Sequence, residues 1–192
     1  TLRDMAGVDV ELGYTCDGWA DLANALHDNA MDNGVPVETV HRGMDHTASV
    51  PLSYLFPEAD RRVVALSVGE RSREDMNLWG EIARETCRGT GAEIALFVGG
   101  SLSYDPDACA RGEDRDGGVE LDRAVLGHLE AGDWSGLAEL DPALISRASA
   151  HAGLRHLFFL EGALGGPAPG RVLAYHRHPS IGSAVVEFDL AD

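Results

Sequence analysis

Residues 61–98 constrain the fold more than any other stretch, because they read as apolar run, amphipathic helix, apolar run. Residues 61–68 carry Val63, Val64, Ala65, Leu66 and Val68 almost without interruption, and residues 93–98 carry Ile94, Ala95, Leu96, Phe97 and Val98. Short continuous apolar runs of this kind are the pattern of strands covered on both faces. Between them, Ser72 is placed to cap a helix, Asp75 falls in its first turn, and Met76, Trp79, Ile82 and Ala83 recur on one helical face. Strand–helix–strand order calls for a crossover connection. The predicted class is therefore α/β, with a central, mostly parallel or mixed sheet, helices on both faces, and strand ends presenting a site at one edge.

The flanking segments extend this plan. Trp19, Leu22, Ala23, Leu26 and Ala30 recur at helical spacing up to Asn33-Gly34, and residues 35–40 form a short β-like run. Residues 105–118 are polar, rich in Gly and Asp and without periodicity, so a long loop is expected there. Residues 119–129, 134–140 and 142–150 read as short helices, with Asp133 and Asp141 as caps and Pro142 at a first helical position. An apolar helix over 153–164 is stopped by Gly165-Gly166-Pro167. Residues 171–175 and 183–188 are predicted as two closing C-terminal strands joined across His176-Arg177-His178-Pro179.

Composition narrows the function classes. The 192 residues are enough for one sizeable core, and no linker or repeat divides them, so 1–192 is read as a single domain. A formal net charge of −17 opposes contact with nucleic acid or an anionic membrane. No apolar run is long enough to span a bilayer, and no signal-peptide plan is present. Cys16, Cys87 and Cys109 have neither metal-type nor disulfide-type spacing, which points to a reducing cytoplasm. Thr1 has the amine and hydroxyl of an N-terminal nucleophile, but no supporting motif follows it.

The residue types that carry chemistry cluster in three segments. Asp45-His46 precedes small residues and Val50-Pro51-Leu52, placing an imidazole where an acid/base group works. Residues 95–104 run from an apolar strand into Gly99-Gly100-Ser101-Leu102-Ser103-Tyr104. Ser149-Ala150-His151-Ala152-Gly153-Leu154-Arg155 leads to Gly162-Ala163-Leu164. In this order, the three segments resemble the class III extradiol ring-cleavage dioxygenases, the family of the protocatechuate 4,5-dioxygenase catalytic subunit. That family shows Asp-His-Gly before a Val-Pro-Leu-like stretch, then Ser-Gly-Asp-Leu-Ser-His, then Ala-Gly-Glu-Cys-Gly-Leu-Arg before Leu-Gly-Ala-Leu. The resemblance runs from about Cys16 to the C-terminus.

The resemblance implies specific roles and specific gaps. The family's iron is held by two histidines near the N-terminus and a later carboxylate, leaving positions open for catechol and dioxygen. This chain has no counterpart of the N-terminal strands that carry those histidines. His151 stands at the carboxylate position, and Tyr104 replaces the second acid/base histidine. His46 is retained. The expected site is thus His46 and Tyr104 as catalytic groups, with Asp45, Ser103 and His151 contacting ligand and no metal ligand assigned. No cofactor is expected in the isolated chain, and Fe(II) only if a partner supplies the missing histidines. Expected partners are a small aromatic or planar ligand and either further copies of the chain or a second subunit. Three functions remain open: an accessory or ligand-binding domain, an extradiol dioxygenase completed by a separate N-terminal chain, and a metal-independent enzyme using His46 and Tyr104 as acid and base. His151 and His156 lie five residues apart, a spacing that does not put them on one helix face, and His176 and His178 share a face of a closing strand.

Overall fold

The computed structural model describes residues 13–40 and 43–189, so Thr1 lies outside the described residues. The chain order is α1 (Ala20–Asp32), α2 (His46–Leu55), α3 (Arg73–Gly89), α4 (Pro106–Ala110), α5 (Gly118–Ala131), α6 (Trp134–Ala138), α7 (Pro142–Arg147), a 3₁₀ turn (His151–Leu154), α8 (Arg155–Leu164), β1 (Arg171–His178) and β2 (Ile181–Glu187). Side-chain caps define most helix starts. Ser72 Oγ accepts from Asp75 N at 3.1 Å, Asp133 from Gly136 N at 2.8 Å and Asp141 from Ala143 N at 2.8 Å, as the sequence predicts.

α8 is the central element. Its Leu157 and Leu164 join a core with Leu121, Val125 and Leu129 of α5, Trp134, Leu137 and Leu144. Its Phe159 and Ala163 join a second core with Leu22, Leu26 and Ala30 of α1 and Met76, Trp79, Ile82 and Ala83 of α3. A helix with apolar residues all round needs cover on every side, and α8 receives it from both clusters. The crossing of α3 and α8 is close because each contributes a glycine. A Cβ at Gly80 would overlap the carbonyl oxygen of Phe159, and one at Gly162 that of Asn77. Arg73 and Glu161 tie the same two helices by a salt bridge of 2.9 Å.

The expected central sheet is not present among the described residues. The only named strands there are β1 and β2, an antiparallel pair from Arg171↔Glu187 to His178↔Ile181 with an irregularity between Val172 and Ala174. Residues 61–68 and 93–98 form no ladder; Val63 makes one parallel bridge to Gly18. Val64, Ile94 and Val98 do pack against the α1–α3 core, while Leu66, Val68, Leu96 and Phe97 remain exposed. The expectation that both faces of these runs are covered is thus corrected: one set of side chains packs on the core and the other stays exposed. The apolar pattern carries no information on whether a neighbouring strand supplies hydrogen bonds, since pairing depends on chain remote in sequence.

Three smaller differences are local. The long loop holds a helical turn, α4, started by Asp105 accepting from Ala108 N at 2.9 Å and by Pro106. The helix expected from residue 153 begins at Arg155, because Ala152, Gly153 and Leu154 all take positive φ. The closing strands are longer than expected and turn at Pro179-Ser180, which places His176 and His178 within β1.

Candidate functional site

A short stretch of non-ladder pairing assembles the site. Leu102–Tyr104 lies between residues 149–151 and the β1–β2 turn: His151 N donates to Leu102 O at 2.9 Å, Tyr104 N to Ser149 O at 2.8 Å, and Leu102 N to Gly182 O at 2.9 Å. Extended residues alternate direction, and here the alternation separates neighbours. Tyr104 faces His151, with ring centroids 4.5 Å apart and planes inclined by 35°. Ser103, expected at the ligand, is turned the other way. It is 0% exposed, its amide donates to Asp122 Oδ1 at 2.9 Å, and its hydroxyl accepts from Arg177 at 2.9 Å.

Asp45 caps α2, its carboxylate accepting from Thr47 N at 3.1 Å and Ala48 N at 3.4 Å. His46 is consequently the first residue of α2, and its Nδ1 is buried with no hydrogen-bond partner among the described residues. His151 lies close enough for a charge on His46 to bear on it. The rings of His151 and His156 are 5.9 Å apart. Their spacing of five on an unbroken helix would separate them. The three left-handed residues between them reverse the chain and bring the rings together. His156 is therefore a site neighbour that periodicity cannot reveal; the Ala152-Gly153 pair was the available signal.

Gly99-Gly100 makes room for this cluster. A Cβ on Gly100 would lie 2.6 Å from the His156 ring, and one on Gly99 would overlap Thr47 of α2. Beyond the glycines, Ser101 N donates to His151 Nδ1 at 2.8 Å. Burial pushes the His151 pKa down, helped by His46, and burial with the neighbouring His151 takes His156 down to about 4. Burial thus favours the uncharged imidazole at His151 and His156, with Tyr104 packed against His151.

The depressed His156 pKa has a stability consequence whose sign is definite. Between the unfolded value near 6.5 and the folded value near 4, the unfolded chain binds a proton that the folded chain refuses. Stability is expected to fall as pH drops through that window, by up to about 3 kcal/mol at its lower end. Urea unfolding of the wild type and His156→Phe between pH 7 and 4 checks this: the wild-type curve should slope and the variant's should be flatter. Equal slopes would remove His156 as the cause.

A second polar cluster, which the sequence does not flag, braces the first. Asp122 of α5 is 1% exposed and accepts from Ser103 N, Tyr175 Oη at 2.8 Å and Arg177 Nη1 at 2.7 Å. Arg177 also pairs with Asp114 of the acidic loop, which accepts from Ser180 N at 2.9 Å. Burial works against the guanidinium charge, but Asp114 and then Asp122 outweigh it and raise the Arg177 pKa. The Tyr175 phenol is pushed up by burial and by Asp122. His176 and His178 flank Arg177 on the exposed side of β1, with rings 4.7 Å apart.

With this geometry in view, the chain can be placed. Residues 2–187 match the family described as the catalytic LigB subunit of aromatic ring-opening dioxygenase, and the chain belongs to that family. Iron chemistry of the facial-triad kind needs three protein donors. The described residues do not fit it: no three His, Cys, Asp or Glu side chains among them are grouped to hold a metal, and His151 Nδ1 is already engaged by the Ser101 amide. Among the described residues, no helix is long and apolar enough to cross a membrane.

Proposed function

We propose that this chain is a diverged member of the ring-opening dioxygenase family that binds a small aromatic or planar ligand, alone or as an accessory subunit, without a complete iron site of its own. The observation that carries the reading is the corner built from His151. An imidazole stands where the resemblance calls for a carboxylate, and its Nδ1 lone pair is taken by a backbone amide. His46, with its unpartnered buried Nδ1, is the group that meets the ligand, and Tyr104 supplies an aromatic wall and a hydroxyl. Three unpaired cysteines support a cytoplasmic setting.

Leu66, Val68, Leu96 and Phe97 favour a variant of this reading in which another subunit covers them. A separate N-terminal chain in that position would also be the route by which the metal-binding histidines are supplied and Fe(II) chemistry restored. Elemental analysis after dialysis against a weak chelator tests the main reading. Well under one iron or zinc per chain is expected, and a retained stoichiometric metal would overturn it. In parallel, calorimetry with protocatechuate should show binding that weakens by about tenfold in His46→Gln, the scale of one lost hydrogen bond in a dry site. Unchanged affinity would take His46 out of the site.

A further inference from the structure

The hydrogen bond from Ser101 N to His151 Nδ1 does more than hold a ring in place. A backbone amide can only donate, so Nδ1 must present a lone pair, and the neutral ring must then carry its proton on Nε2. No described residue accepts that Nε2–H. Tyr104 packs against the ring at 4.5 Å and His156 lies 5.9 Å away, so a ring flip, which would put Cδ2 in place of Nδ1 at the Ser101 amide, is opposed by packing as well as by the lost hydrogen bond. Gly100 reinforces this by packing against His156, keeping the Gly99–Ser101 turn at the distance the amide bond needs. The lowered His151 pKa agrees with this arrangement, since a proton on Nδ1 would set donor against donor.

A nitrogen that bears a proton is not a metal ligand. Coordination through Nε2 would require the proton to leave or to move to Nδ1, and Nδ1 can take it only by breaking the Ser101 bond. The same Nε2–H is a good partner for an oxygen with lone pairs to offer. Burial disfavours a charge on His151 and on His156 beside it, so the corner offers a directed hydrogen bond from Nε2–H.

We infer that the Ser101 amide fixes His151 as an Nε2–H donor, so that this corner selects a ligand oxygen, a phenolate or carboxylate, and rejects a divalent cation. This rests on the ligand-binding reading above and assigns His151 as its specificity-determining residue. At the position the resemblance gives to a carboxylate, an imidazole held in this way recognises an oxygen in place of a cation. A carboxylate at the same position would have only acceptors to show, attracting cations and repelling the same oxygen.

Nitrogen-15 NMR of the full chain with labelled histidine tests the assignment, using 4-nitrophenolate and zinc as separate probes. At pH 7 the His151 ring should show an unprotonated Nδ1 and a protonated Nε2, and 4-nitrophenolate should shift the Nε2 resonance. Zinc at one equivalent should leave it in place. An Nδ1–H tautomer, or displacement of the Nε2 proton by zinc, would overturn the inference. Affinity measured by calorimetry should fall about tenfold or more in His151→Glu and stay within about threefold in His151→Gln, whose amide can still donate. Equal losses in both variants would also overturn it. Binding of 4-nitrophenolate without any shift at His151 would sink the inference and leave the ligand-binding reading standing. Absence of any aromatic binding would sink both.

Discussion

Asp122→Ala is expected to lower the unfolding free energy by about 3–5 kcal/mol, the range for removing one partner from a buried ionic network. The carboxylate is 1% exposed and serves three donors at once: the Ser103 amide, the Tyr175 hydroxyl and the Arg177 guanidinium. Without it, each donor keeps its desolvation penalty and loses its acceptor. Asp114, the other carboxylate on Arg177, is half exposed, and Asp114→Ala should cost no more than about 1 kcal/mol. Urea unfolding of both variants decides the matter, and similar losses would contradict the assignment of Asp122 as the anchor. The site should feel the change too. Ser103 is adjacent to Tyr104, so losing the acceptor for its amide loosens the segment that holds Tyr104 against His151.

Gly162→Ala is the second large effect, expected at about 3 kcal/mol, the upper end for overpacking a well-filled interior. The added methyl would fall on the Asn77 carbonyl oxygen, which belongs to the backbone of α3 and cannot swing aside as a side chain would. Relief requires α3 and α8 to separate, loosening the contacts of Trp79 with Phe159, whose rings lie 6.1 Å apart. A fall in melting temperature of about 6–12 °C is expected for a chain of this length. Gly127→Ala provides the control. It sits inside α5 with nothing within 4 Å of its Cβ position, so the same substitution should stabilise by roughly 0.5–1 kcal/mol through helix propensity. If both variants behaved alike, close helix crossing would not be the cause.

Helix positions were legible because their causes are local. Ser72, Asp133 and Asp141 cap where their side chains reach the next turn, and Met76, Trp79, Ile82 and Ala83 share a face for reasons of helical period alone. The closing hairpin was legible from its two apolar runs, although its strands extend further than expected. The central sheet was a different kind of expectation. Residues 61–68 and 93–98 have the composition of buried strands, but a ladder is a relation between segments, and the described residues supply only the Gly18–Val63 bridge. The loop over 105–118 was misread for lack of periodicity, when a single Asp-Pro cap is enough to set a five-residue helix.

The candidate site divides along the same line. The sequence by itself determined family membership, over residues 2–187, and the order of the Asp45-His46, Gly99–Tyr104 and Ser149–Arg155 segments singles out His46, Tyr104 and His151 as candidates. Only the tertiary structure decided their company. It brought His156 beside His151 through left-handed backbone at Ala152, Gly153 and Leu154, and turned Ser103 away from Tyr104 toward Asp122 and Arg177. It also gave His151 Nδ1 a backbone amide for a partner. Residue type fixes which protons a side chain can hold. Which nitrogen holds the proton, and what it faces, is set by hydrogen bonds from chain fifty residues away.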